Sequence, residues 1–251
     1  MDTHAHHLHK APGIKGWHYF NEFLMLFTAV TLGFFVENQR EQYVEHKRAK
    51  EYAQSLYDDL KTDTMTIHRT IGEKIWIGAK FDSAASILAS TEIGKKNEFL
   101  YYAGRYLTFN DAFTAMDVTY QQLRSSGSIR YIKNISLYKK IGQYYNLNTR
   151  YQAIDRYGQV EEPGLSELLF EIFDMKDFYS IRLTGNGTFY DMQRPSSKLK
   201  SLTLSSKNRK MLYSKFATAR ENTNSSVIFL NWLNDAAIDI IKELKKEYDL
   251  K

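Results

Sequence analysis

The side chains best suited to chemistry are crowded at one end of the chain. The seven histidines are His4, His6, His7, His9, His18, His46 and His68, and none lies further on. The first four are spaced so that their imidazoles can chelate zinc, copper or nickel. No element nearby would preorganise them, so the expectation is a disordered tail with adventitious affinity for metal, and no resident metal or cofactor. There is no cysteine, which excludes disulfides, thiolate catalysis and zinc–cysteine sites. Beyond His68 the chain can build neither a Ser-His-Asp triad nor a zinc site from its own residues.

Carboxylates and glycines add little. Asp58, Asp59 and Asp63 share about one helical turn, and a solvated face is the expected role for all three. Gly185-Asn-Gly187 is too short for a dinucleotide fingerprint and reads as a hairpin or loop turn. Phosphate-loop, nucleophile-elbow and His-Glu-x-x-His patterns are missing. No catalytic residue is assigned, and the protein is expected not to be an enzyme. The remaining candidate is Glu22, the one ionisable residue at the edge of a long apolar run. It reads first as an interfacial glutamate reaching the headgroups. Its alternative role is an ion or proton site, should several copies gather it into a ring.

The elements that would position these residues begin with that run. Phe23 to Val36 carries no charge but spans only about 21 Å as a helix, short of the roughly 30 Å hydrocarbon core. Extended back to Trp17 it is long enough, and Trp17 and Tyr19 become interfacial anchors. No small-residue cleavage pattern follows it, so a transmembrane helix over 17–36 is expected rather than a signal peptide. Lys and Arg flank it too evenly to set its orientation by charge.

After Glu37 no breaker intervenes. Tyr52, Leu56, Leu60, Ile67, Ile71 and Ile75 recur at three-to-four spacing and predict an amphipathic stalk over 37–90. The rest, 91–251, reads as a helical domain packing on that stalk. Its helices are expected at Glu98–Leu107, from an Asn110 cap through Phe113 and Met116 to Ser125-Ser126-Gly127, at Asn134–Tyr157, Leu165–Phe173 and about Lys207–Leu250. A weak point is expected at Asn222–Ser226 in the last helix, and 184–206 reads as irregular. The chain is thus expected to be all-α: a histidine-rich tail at 1–16, a membrane helix, a stalk and a helical bundle. The composition fits, with only 3 Pro and 13 Gly among 251 residues. The net charge of +5 arises from interleaved signs rather than a basic stripe, so nucleic acid is not an expected partner.

Several segments taken together carry a resemblance. They are Glu37-Asn-Gln-Arg-Glu41, Tyr52-Ala-Gln-Ser-Leu-Tyr-Asp-Asp-Leu-Lys-Thr-Asp63, Thr119-Tyr-Gln-Gln-Leu-Arg-Ser-Ser-Gly-Ser-Ile-Arg130, Ile132-Lys-Asn134 and Ile141-Gly-Gln-Tyr-Tyr145. Over roughly residues 20–150 the chain resembles a Bacteroidota family of single-pass membrane proteins classified as a domain of unknown function. The Tyr-x-x-Leu-x-Ser-Ser-Gly stretch is the most specific part. The resemblance implies a cytoplasmic N-terminus, an inner-membrane span and a periplasmic domain, and brings no catalytic residues. This chain departs from it by carrying His where relatives carry Arg and Lys before the span. Asp63-Thr-Met65 and Asp82-Ser-Ala84 also match a short O-glycosylation pattern of periplasmic proteins in that phylum.

The leading functional expectation is a membrane-anchored, non-enzymatic scaffold or accessory subunit of an envelope complex. Its expected partners are the lipid bilayer and either further copies of itself or other subunits. The alternatives are an ion-coupled single-span subunit using Glu22 and a ligand-sensing domain that signals through a partner.

Overall fold

The computed structural model describes residues 15–90, 93–109, 112–157, 164–185, 190–193 and 198–250. The histidine cluster and the Asn110 cap lie outside them. Seven α-helices, two short 3-10 turns at Ile93–Lys96 and Ser128–Tyr131, and one antiparallel strand pair make up the regular structure among the described residues. Helix α1 spans Lys15–Ala89, α2 Asn97–Tyr106, α3 Val118–Ser125 and α4 Ile135–Tyr157. Two short helices follow, α5 at Leu165–Ile172 and α6 at Met175–Ser180, and α7 closes the chain over Ser206–Tyr248. Strands β1 (Arg182–Gly185) and β2 (Tyr190–Gln193) pair antiparallel, with Arg182 opposite Gln193. The molecule is therefore mostly helical, and the all-α expectation is corrected by this strand pair, whose second strand lies in the 184–206 stretch that was expected to be irregular.

Two units divide the chain at Glu51 and Tyr52. In the first, the described part is helix alone. Every side chain from Gly16 to Val36 is exposed. Among the described residues, this is the one helix long and apolar enough to cross a membrane.

The second unit is built on a seven-residue repeat. On α1, Ala53, Leu60, Ile67, Lys74, Phe81 and Leu88 form one buried row. Leu56, Asp63, Thr70 and Ala84 are buried in the adjoining row, with half-buried Ile77 completing it. Helix α4 repeats the pattern with Leu137, Tyr144, Tyr151 and with Ile141, Asn148, Asp155. Helix α7 does so with Thr223, Leu230, Ala237, Leu244 and with Ser226, Leu233, Ile240. A strict repeat of seven keeps one seam facing its partners only if the helices supercoil left-handedly.

Side-chain pairs fix the directions. Asp63 meets Tyr144 and Lys74 meets Asp155, and both pairs are 81 residues apart, so α4 runs parallel to α1. Arg220 reaches Asp82 while Lys245 lies over the Tyr57 ring, so α7 runs antiparallel to α1. The seam departs from the simple apolar stripe expected. Ile75 is exposed, whereas Asp63, Thr70 and Lys74 are buried. No break occurs at Asn222–Ser226, because Thr223 and Ser226 belong to the buried seam of a continuous α7.

A second, aromatic cluster joins α2, α5, α6 and β2 to the ends of α1 and α7. Tyr101 packs edge-on against Phe173 with ring centres 4.8 Å apart, and Phe173 lies 5.0 Å from Phe178. Gly104 makes this closeness feasible: a Cβ there would meet both phenylalanine rings at 3.1–3.3 Å. The hairpin is tied on by Asp191, which accepts hydroxyl hydrogen bonds from Tyr102 and Tyr106.

Candidate functional site

The stretch before α3 was expected to be helical from Asn110. In fact residues 112–117 are irregular and α3 starts only at Val118. The reason lies in Met116, whose backbone is claimed by side chains. Its N–H donates to Asp63 at 2.9 Å, and its carbonyl accepts from the Tyr145 hydroxyl at 3.0 Å. Asp63 also accepts from the Tyr144 hydroxyl at 2.7 Å. With both of its backbone groups already satisfied, Met116 has no need of helical hydrogen bonds.

Asp63 is therefore not on a solvated face. Its side chain is 1% exposed, while Asp58 is exposed and Asp59 is half-buried. Asp59 nonetheless has one carboxylate oxygen shielded from solvent with no hydrogen-bond donor among the described residues. Burial pushes the Asp63 carboxyl up to about 6, against the pull of the Met116 and Tyr144 donors. The Tyr144 and Tyr145 hydroxyls are held well above the ordinary phenol range, first by burial and then by the Asp63 charge.

This brace fixes one wall of a groove between α3 and α4. Tyr120 of α3 stacks on Tyr145 of α4 with ring centres 4.1 Å apart and planes 9° from parallel. On either side of Tyr120 lies a cavity, one of about 570 Å³ and one of about 590 Å³. Both are also lined by Tyr138, Gly142 and Asn146. One half adds Gln121, Arg124, Asn148 and Gln152. The other half adds Ile129, Lys139, Leu147 and Arg150. The groove is thus walled by amides, cations and tyrosine rings. The carboxylate that lines it among the described residues is Asp117, which accepts from Gln121 at 3.2 Å.

Of the residues singled out in the sequence, Trp17, Tyr19 and Glu22 are all exposed on α1. Trp17 leans on Phe20 with ring centres 5.9 Å apart. Ser125 and Ser126 behave as a helix terminus should: the Ser126 hydroxyl donates to the Gln122 carbonyl at 2.7 Å, and Gly127 adopts φ +67°. Among the described residues no group of three or more carboxylates and imidazoles is placed to hold a metal. The groove was missed because Tyr138, Gly142, Asn146 and Gln152 read simply as the outer face of an amphipathic helix. The available signal was the density of tyrosines and amides on both α3 and α4. The chain matches no family model, no curated protein and no solved structure.

Proposed function

We propose that the chain is a single-span membrane protein with a scaffolding role, an accessory subunit of a cell-envelope complex rather than an enzyme. The observation that carries the anchoring is the unbroken exposure of an apolar helix from Trp17 to Val36. Left in water, such a surface costs about 25 cal/mol for every Å² of apolar area, far more than a soluble chain retains without a partner. A bilayer removes that cost, with Trp17 and Tyr19 at one interface and Glu22 reaching toward its headgroups. The second unit supports the scaffolding part, because its groove presents binding chemistry. By the family resemblance, that unit is assigned to the periplasmic side of the inner membrane.

Alkaline carbonate extraction of native membranes tests the anchor. The full chain should stay in the pellet, and a variant with Leu26→Glu and Val30→Glu should be released. Release of the unaltered chain would exclude a spanning helix. The mass and composition of the native particle in mild detergent then test the role. Other proteins in the particle support an accessory subunit. A purified particle that hydrolyses substrate through its own carboxylates would overturn the non-enzymatic reading.

Glu22 keeps a second reading in view, since it is an exposed carboxylate bordering the apolar helix. Ion coupling requires several copies and a Glu22→Gln variant without function. Full function of that variant in cells rules it out.

A further inference from the structure

We infer that the groove between α3 and α4 binds a short oligosaccharide carrying N-acetyl groups. The inference goes beyond the scaffold reading and does not depend on membrane crossing. The two cavities meet at Tyr120, Tyr138, Gly142 and Asn146, and each falls within the size range of small-ligand sites.

The chemistry of the two halves is complementary to such a sugar. A pyranose offers hydroxyls that donate and accept at once, and primary amides are the side chains that do the same. Gln121, Asn146 and Gln152 supply them along one side. A sugar ring also has an apolar C–H face, which needs an exposed aromatic ring, and Tyr138 is 46% exposed beside the groove. The acetamido methyl is a second apolar group, at the edge of the sugar. Ile129 and Leu147, both half-buried, give it an apolar wall in the second half. An extended peptide would instead need a deep apolar hole for an anchoring side chain, and the first half offers none.

An independent observation comes from Asn148. It lines the first half, is 7% exposed, and its amide oxygen is buried without a hydrogen-bond partner. A buried acceptor left unpaired is costly, and a hydroxyl or amide N–H from a ligand, after small adjustment of the side chain, would satisfy it. Gly142 lies in the lining of both halves. A Cβ placed there finds only the Tyr120 hydroxyl, at an ordinary 3.9 Å. Packing does not require this glycine, so a larger side chain can fill the groove without disturbing the helix.

The test uses the full chain in lipid nanodiscs, which avoids sugar detergents, and calorimetric titration with tetra-N-acetylchitotetraose. Saturable binding is expected, weakened at least about tenfold by Gly142→Leu and by Tyr138→Ala. Cellotetraose, which lacks the acetamido groups, should bind at least about tenfold more weakly than the acetylated sugar. Circular dichroism should show both variants folded, since one residue is open to space and the other exposed. No saturable binding up to about 10 mM would overturn the inference. So would unchanged affinity in Gly142→Leu, or tighter binding of tetra-alanine than of the sugar.

Discussion

The Lys74 ammonium donates to the Asp155 carboxylate at 3.0 Å inside the helical seam, where the two side chains are 3% and 0% exposed. Ser226 of α7 donates to the same carboxylate oxygen at 2.7 Å. One polar layer thus involves all three long helices. Such a pair contributes little net stability against an apolar replacement, but removing one partner strands a buried charge. Lys74→Met should therefore destabilise the second unit by about 3–5 kcal/mol, and Lys74→Met with Asp155→Leu should recover most of the loss. Urea unfolding of the full chain, followed by helical circular dichroism, measures both. A double variant as unstable as the single one would show that the layer is held by something other than this pair.

Asp63 gives stability a pH dependence of unusual sign. Its carboxyl titrates at about 6 when folded, against 3.8 ordinarily, because burial outweighs its two donors. The folded state then binds the proton more tightly than the unfolded state does. This contribution is fully present below about pH 3.8 and is lost as pH rises through about 6. At about 1.4 kcal/mol per pKa unit, the change is on the order of 3 kcal/mol at most. An Asp63→Asn variant keeps an acceptor for the Met116 N–H without the charge. The difference in stability between the two proteins should grow in favour of Asn from pH 4 to pH 7. A difference that stays flat over that range would mean Asp63 ionises freely.

One substitution should act with opposite signs at two glycines. A Cβ on Gly104 would press on the rings of Phe173 and Phe178 at 3.1–3.3 Å. Gly104→Ala should cost about 1–3 kcal/mol through overpacking. Gly72 lies within α1 with nothing within 4 Å of the same position. Gly72→Ala should stabilise by about 0.5–1 kcal/mol, because alanine loses less backbone entropy in a helix. Thermal midpoints moving in the same direction for both would contradict the packing described around Gly104.

The sequence conveyed the helices better than it conveyed the seam. The long apolar and amphipathic stretches of α1, α4 and α7 were legible because few prolines and glycines interrupt their periodicity. What hid the seam was its polarity: Asp63 and Lys74 look solvent-facing in a one-dimensional pattern, and partners 81 residues away hold them in the core. The late start of α3 was hidden for the same reason, since Met116 is fixed by side chains from α1 and α4. The groove was hidden too, because neither α3 nor α4 contains it alone.

Asp191 holds the hairpin, and its loss should free it. The carboxylate accepts from Tyr106 at 2.8 Å and from the Met192 N–H at 2.7 Å, besides Tyr102. Burial alone would raise its titration. The two tyrosine hydroxyls, the Met192 amide and the Lys80 charge outweigh burial and hold it below the ordinary carboxylate range. Its contribution is therefore present above the unfolded titration point and is lost as pH falls through the depressed folded value, opposite in sign to that of Asp63. Asp191→Ala removes the charged acceptor shared by the Tyr102 and Tyr106 hydroxyls, leaving the buried Tyr106 hydroxyl with Tyr102 and the Met192 N–H, and should cost about 1–3 kcal/mol. Because the hairpin makes few other ties, the loss should be local. Limited proteolysis should cut between Arg182 and Gln193 faster in Asp191→Ala, with the helical seam intact, while Asp191→Asn, which still accepts hydroxyl hydrogen bonds, should resist more nearly as the unaltered chain does. Equal cutting of all three proteins would show that the strands are held by their own ladder rather than by the tyrosine pair.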